Sequence, residues 1–405
     1  MKKIGLLPRL IIGIIAGILI GMFFPEWVGR LLYTFTGIFG GLLGYIVPLI
    51  ILGFIIPGIA ELGAKAGKLL AGTAGIAYLS TVSAGIVAFL ISIAIIPRII
   101  ADGAAGDPDA VGLTPFIELS IPPIMGVMTA LVTAFIFGLG INHLRHEKAQ
   151  ETLFKFMEEF RAIIIGVINK VIIPFLPIHI AGIFADMAAS GEAFQTMQVF
   201  GQVFIMIILM HLGYIVIQYS IAATRTGRNP FLAIKTMIPA YTTALGTMSS
   251  AATIPVTLRS AKNNGVSERV ADFVIPLSAT IHLAGSTITL VACSVAVLII
   301  GDQTPQFINF LPFILMLGVT MVAAPGVPGG AIIAALGLLS TILGFTEAQQ
   351  GLMIALYMAQ DSFGTACNVT GDGAIALMID SFTDKTAETT ATAAAAEGES
   401  IKIKA

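Results

Sequence analysis

Near the end of this chain, four polar residues recur on one helical face. In Gln360-Asp361-Ser362-Phe363-Gly364-Thr365-Ala366-Cys367-Asn368-Val369-Thr370-Gly371-Asp372, residues Asp361, Thr365, Asn368 and Asp372 stand at i, i+4, i+7 and i+11. At about 100° per residue they share a stripe about 60° wide. The surrounding sequence is apolar enough to lie in lipid, where a centred charge costs roughly 2.5–3.5 kcal/mol. Two carboxylates on such a stripe need cationic partners. The chain offers almost no lysine or arginine in this region, so the partners are expected to arrive as metal ions or as an ammonium group. The alternative is a helix that merely faces a water-filled crevice.

Two interrupted apolar segments could complete such a site. Residues 231–258 are apolar at both ends, with Thr247-Met248-Ser249-Ser250-Ala251-Ala252-Thr253-Ile254-Pro255 between. Residues 308–345 are broken by Pro325-Gly326-Val327-Pro328-Gly329-Gly330. Each arm is roughly 14–16 residues, short of the roughly 20 that cross a bilayer. Each pair therefore reads as a re-entrant hairpin. In lipid, backbone groups freed at a broken tip must find partners, and they suit a carboxylate or a small cation. Ser249, Ser250 and Thr253 add hydroxyls. A third polar run, Pro276 to Thr287, holds Ser278, Thr280, His282 and Gly285. Such a run would let a spanning helix unwind and present carbonyls. His282 reads either as a proton carrier, since histidine changes charge between about pH 5 and 8, or as a packing residue. Lys170 reads as a snorkelling or crevice residue; His179 and His211 stand isolated.

The elements that position these groups follow from composition. Of 405 residues, 57% are hydrophobic and 11% charged, and the mean hydropathy is +0.96. A soluble domain carries about 25% charged residues, so the expected solvent is lipid. Spans are expected near 8–24, 35–60, 70–100, 115–142, 160–187 and 196–224, with plain helices at 268–300 and 346–380 after the hairpins. The first is read as a retained span, not a signal peptide. From about Thr383 the sequence is polar and rich in Ala and Thr, as in a disordered tail. The net charge of −2 gives no support for a nucleic-acid partner. Two cysteines, Cys293 and Cys367, suggest neither a disulfide framework nor a metal cluster. No Walker or dinucleotide-binding glycine motif and no nucleophile–base pair supports an enzyme.

Lysine and arginine placement sets the orientation. With the N-terminus inside, the inner segments hold Lys2, Lys3, Arg9, Lys65, Lys68, Arg145, Lys148, Lys155, Arg225, Arg228 and Arg259, among others, while the outer loops hold Arg30 and Arg98. The two hairpin-plus-helix units then have opposite orientation, an inverted repeat. Paired interrupted segments of this kind point to a transporter binding site.

At these residues the chain resembles the dicarboxylate/amino acid:cation symporters, the glutamate-transporter homologues. The likeness runs from the first span to about Asp380 and is most specific in Arg228-Asn229-Pro230, Ser249–Pro255, Ser278–Gly285, Gly326–Gly329 and Asn368–Asp372. It implies an all-α polytopic membrane protein with eight transmembrane helices, two re-entrant hairpins, a homotrimer and an elevator motion. Applied here, it gives scaffold helices over 1–60 and a transport-domain helix with an outer loop over 61–114. Residues 115–224 would hold scaffold helices four and five and the start of the transport core, residues 225–382 the rest of that core, and residues 383–405 a cytoplasmic tail. Both termini would face the cytoplasm across a cell (inner) membrane. By resemblance, Asp361 holds a substrate ammonium, Asn368 contacts substrate and cation, and Asp372 ligates Na+. Ser249, Ser250, Gly326, Val327, Pro328 and Gly329 close over the substrate, Gly364 and Thr365 line its site, and Ser278, Thr280 and His282 flank the cation. Tyr78 and Thr81 match a further sodium site.

Departures from the family pattern narrow the substrate. Acidic-substrate members carry an arginine where this chain has Gly364 and another basic residue where it has Met248. The family's Asn-Met-Asp-Gly-Thr motif reads His282-Leu283-Ala284-Gly285-Ser286, so the aspartate of that motif is Ala284. These features look nearest to the serine/threonine:sodium symporter branch. The expected function is symport of a small neutral amino acid with Na+ or H+, with no other cofactor. An acidic or dicarboxylate carrier and an ion channel are the alternatives.

Overall fold

The computed structural model describes residues 6–61, 67–101, 112–119, 121–191, 193–321, 324 and 328–383. These are helices joined by turns and extended links, with no strand among the described residues. In chain order the helices are α1 (Leu6–Phe23), α2 (Glu26–Glu61), α3 (Gly67–Ala101), α4 (Val127–Lys148), α5 (Thr152–Val167), a π-helical turn (Ile168–Ile172), α6 (Ile173–Ala189) and α7 (Ala193–Thr226). There follow α8 (Pro230–Thr247), α9 (Ser250–Asn263), α10 (Glu268–Ile281), α11 (Ala284–Ile300), α12 (Phe307–Met321), α13 (Gly330–Leu343) and α14 (Glu347–Phe382).

Five segments among the described residues are long and apolar enough to cross a bilayer: Glu26–Ala60, Leu69–Ile100, Thr152–Ala189, Met197–Thr226 and Glu268–Ile300. The sequence reading expected eight. The three that fall short are α1, whose apolar stretch is brief, α4, whose last turns carry Asn142, Arg145 and Lys148, and α14, diluted by its polar stripe.

Several boundaries differ from the expected ones for local reasons. The second helix starts at Glu26, not near 35, directly after Pro25; Arg30 and Glu26 pair at 3.9 Å one turn apart. Of the expected span from 115, the described residues up to Gly126 are not helical, and helix begins only at Val127. Pro115, Pro122 and Pro123 lie in that stretch and cannot donate helical hydrogen bonds. The span expected from 160 begins at Thr152 and carries the π turn. Pro174 removes the N–H that would bond the carbonyl of Lys170. Lys170 is exposed on that turn. The expected tail lies outside the described residues beyond Thr383.

Packing is close where the sequence is small. Gly13, Gly17 and Gly21 recur every fourth residue along α1, and each sits against α6 backbone, at Pro177, Ala181 and Ala185. Without side chains the two helices approach almost backbone to backbone. The α8–α9 pair is held at its open end. Asn229 Oδ1 caps α8, accepting from Phe231 N–H at 2.9 Å and Leu232 N–H at 3.3 Å. The neighbouring Arg228 guanidinium donates to the carbonyl of Asn264 just past α9, whose Nδ2 donates to Ala233 O at 3.0 Å. The Arg-Asn-Pro motif is thus a clasp that fixes the two arms together. Both α8 and α9 pack on α14, as do α10, α11 and α13.

Candidate functional site

α14 runs unbroken through its polar stripe. Asp361 and Thr365 are 5% exposed, Asn368 1% and Asp372 0%, and no lysine or arginine stands between Arg269 and Lys385. Burying carboxylates without basic side chains nearby is costly unless hydrogen bonds or incoming cations compensate. Three of the stripe's members meet a break in a neighbouring element.

Asp361 meets the start of α13. Its Oδ2 accepts from the backbone N–H of Gly329 at 2.7 Å. Gly329 caps α13 with φ of +76°, a left-handed conformation that suits glycine. The Tyr357 hydroxyl, one turn earlier on α14, faces both Asp361 and Ser286. No ion pair engages Asp361 among the described residues. Of the predicted tip, Pro328 is half-buried beside Gly329, whereas Gly326 and Val327 lie outside the described residues.

Asn368 meets the break between α10 and α11. That break falls at His282–Leu283, inside the span expected as a plain helix and within the run of small polar residues. Asn368 Oδ1 accepts from Gly285 N–H at 2.7 Å and more weakly from Ser286 N–H at 3.4 Å, while its Nδ2 donates to Ser286 Oγ at 3.0 Å. The amide therefore caps the N-terminus of α11, satisfying donors that helix geometry leaves orphaned. Gly364 packs on the same start; a Cβ there would lie 3.5 Å from Gly285 C and Ser286 N, ordinary contact.

Asp372 meets His282 itself, with Nδ1 and Oδ1 separated by 2.9 Å. The other ring nitrogen lies 3.1 Å from both Ser80 Oγ and Gln218 Nε2. Gln218 donates to Ser80 Oγ at 2.9 Å, and Tyr214 OH donates to Ser80 O at 2.6 Å. Asp372 Oδ2 has no partner among the described residues, and neither do the hydroxyls of Ser278 and Thr81, all fully buried. These oxygens have the hardness a small cation such as Na+ prefers.

Other predicted residues stand apart. The Tyr78 hydroxyl donates to Leu315 O of α12 at 3.3 Å, and exposed Thr280 bonds Leu277 O of its own helix at 2.7 Å. Ser249 caps α9, accepting from Ala252 N–H at 3.2 Å, and Ser250 opens that helix. Met248 between the arms is left-handed, with φ of 52°.

The sequence reading passed over one whole face. His211, Tyr214 and Gln218 stand at i, i+3 and i+7 on α7, the spacing of a single stripe. His211, read as isolated, has Nε2 at 3.0 Å from Gly285 O and 3.1 Å from Thr289 Oγ1. Its period within an apolar helix was the signal that could have found this face.

A family model described as the sodium:dicarboxylate symporter family matches residues 6–382. The serine/threonine transporter SstT of Enterococcus faecalis is 25% identical over 399 residues, 92% of this chain and 90% of that protein. The human neutral amino acid transporter B(0) is 25% identical over 269 residues, 65% of this chain and 48% of its own length. Excitatory amino acid transporter 1 of Ambystoma tigrinum is 27% identical over 244 residues, covering 60% and 44%. The chain thus spans about half the length of the animal relatives it matches.

Proposed function

Because the chain belongs to the sodium:dicarboxylate symporter family, we propose that it is a secondary active symporter coupling inward movement of Na+ to uptake of a small neutral amino acid. The observation that carries this reading is Asp361, a buried carboxylate beside a hairpin cap, with no ion pair among the described residues. An ammonium group supplies the missing charge. The substrate carboxylate would then lie on the Ser249–Ser250 tip and Asn368, with the turn from Gly326 to Gly329 closing over it. Gly364 and Met248 leave no basic group for a second substrate carboxylate, which favours a neutral substrate. The names of the relatives from Enterococcus faecalis and human agree with that class.

In this reading Na+ is cargo, held through Asp372 Oδ2 with an oxygen such as that of Ser278. Ala284 withdraws a second carboxylate, so fewer sodium ions should move per cycle than in acidic-substrate relatives. The paired arms α8–α9 and α12–α13 act as re-entrant hairpins of an inverted repeat, alongside eight spanning helices. α3 and the segment from α7 to α14 form a moving core, and α1, α2 and α4 to α6 a fixed scaffold, giving an elevator mechanism. We place the protein as a homotrimer in the cell (inner) membrane with both termini cytoplasmic.

An acidic-substrate carrier is the principal rival, favoured by the likeness to excitatory amino acid transporter 1. Proteoliposome uptake of radiolabelled serine, threonine, alanine, aspartate, glutamate and succinate, under separately imposed Na+ and pH gradients, decides. Concentrative, Na+-driven uptake of neutral substrates is expected. Glutamate or succinate uptake of equal rate would overturn the substrate class, and flux without concentration would indicate a channel.

A further inference from the structure

Two cavities meet at His179. One of about 350 Å³ lies between α2, residues 115–119, α6 and the start of α14. The other, about 260 Å³, shares His179 and Glu347 with it and extends to α13. His179 is 1% exposed; the Thr36 backbone lies near its ring, but neither ring nitrogen makes a well-formed hydrogen bond among the described residues. Its Nε2 is turned toward α14, where a Cβ on Gly351 would lie 3.0 Å from it. A buried imidazole with a ring nitrogen left without a partner is a binding group without a ligand.

The larger cavity has acidic and apolar lining together. Glu118, Asp186 and Glu347 line it with Tyr33, Ile117 and Ile183. Asp186 Oδ1 is engaged by Leu113 N–H at 2.6 Å. The nearest base on α2, Arg30, is engaged by Thr114 O at 2.9 Å, by Glu26 and by the Phe116 ring. An anion would be repelled here. A bare metal ion fits poorly, because no three His, Cys, Asp or Glu side chains converge among the described residues. The volume falls within the roughly 300–1,000 Å³ of organic-ligand pockets.

The geometry points to a binding site for a small organic ammonium ion with an apolar body. Its N–H groups are shared between a lone pair of His179 and the Glu347 carboxylate, and its body rests on Ile117 and Ile183. This position is separate from the stripe at Asp361 to Asp372. An occupant bridges α14 to α2 and α6 and so inhibits uptake, a consequence that rests on the carrier reading above; binding itself does not.

The test uses the purified full-length protein in detergent at neutral pH, titrated with benzylammonium or with its uncharged isostere benzyl alcohol and followed by thermal unfolding. Benzylammonium should raise Tm saturably and benzyl alcohol should not. Glu347→Gln and His179→Phe should each weaken the apparent Kd at least tenfold, as should exposed Glu118→Gln to a smaller, threefold extent. Equal shifts from both compounds, an unchanged Kd in Glu347→Gln and Glu118→Gln, or displacement of benzylammonium by excess serine would overturn the site. Failure of binding leaves the carrier reading standing, whereas absence of uptake removes the carrier reading and leaves binding untouched.

Discussion

The imidazole Nδ1 of His282 lies 2.9 Å from Asp372 Oδ1, and neither side chain reaches the surface. Asp372 is thereby divided, one oxygen held by the ring and the other without a partner among the described residues. Asp372→Asn should raise the Na+ concentration for half-maximal uptake at least tenfold, because a neutral amide gives up the charge that attracts the ion. His282→Leu removes the partner of Oδ1 and should cost roughly 1–3 kcal/mol of stability, the usual penalty for a buried group left unpaired. His282→Gln keeps an N–H donor and should cost less. Thermal unfolding of the two variants measures this, and equal losses would deny the hydrogen bond any weight. A pH profile of uptake by His282→Gln over about pH 5 to 8 then separates a proton-carrying role from a structural one. If the profile matches wild type, the histidine carries no transported proton.

Asp361 offers a cleaner separation of charge from shape. Asp361→Asn retains an oxygen that can accept from Gly329 N–H, so the contact with the start of α13 survives. The ionised partner for an ammonium is gone, and charge-assisted hydrogen bonds are about twice as strong as neutral ones. Amino-acid uptake should fall at least a hundredfold while Tm changes little. Uptake at wild-type rates in proteoliposomes would exclude the ammonium role.

The stripe on α14 and the two interrupted arms were legible because each breaks a simple pattern. Polar residues at helical period inside an apolar run are costly in lipid, so they persist where they face a site. Ser, Gly and Pro clusters inside apolar segments break a helix that would otherwise continue. The unwinding near His282 was legible for the same reason. Its partner was not: Asp372 and His282 are 90 residues apart, and each had a separate reading on its own element. The face of α7 was not legible from His211 alone, because only its spacing to Tyr214 and Gln218 carries the pattern. His179 carries no local pattern at all; its setting is made by residues distant in sequence, among them Phe39 and α14 at Gly351.

The α1–α6 contact gives a test of the fold independent of transport. A Cβ on Gly17 would lie 2.9 Å from the backbone carbon of Ala181, and backbone cannot move aside as a flexible side chain can. Gly17→Val should therefore lose about 1–3 kcal/mol or more through overpacking. Gly37→Ala, where nothing lies within 4 Å of the added carbon, is the control and should leave Tm nearly unchanged. Equal Tm values for the two variants would show that α1 does not pack on α6 this closely.

Gly364 is where the proposed substrate class is most exposed to refutation. The position lies three residues after Asp361 on α14 and against the start of α11. An added Cβ meets Gly285 and Ser286 only at 3.5 Å, so the backbone tolerates a side chain there. Gly364→Ala should fold and keep its preference for neutral amino acids, with a modest loss of rate. Gly364→Arg introduces a planar guanidinium near Asp361, in a region otherwise without basic residues. A guanidinium matches a carboxylate bidentately, so aspartate or glutamate gains a partner for its side chain. A neutral substrate instead meets an unpaired charge, and Asp361 gains a competitor for its ammonium. The ratio of glutamate to serine uptake should rise at least tenfold in Gly364→Arg, chiefly through loss of serine transport. An unchanged ratio in a variant that unfolds at the wild-type temperature would mean that position 364 does not face the substrate, and the neutral-substrate assignment would lose its main support.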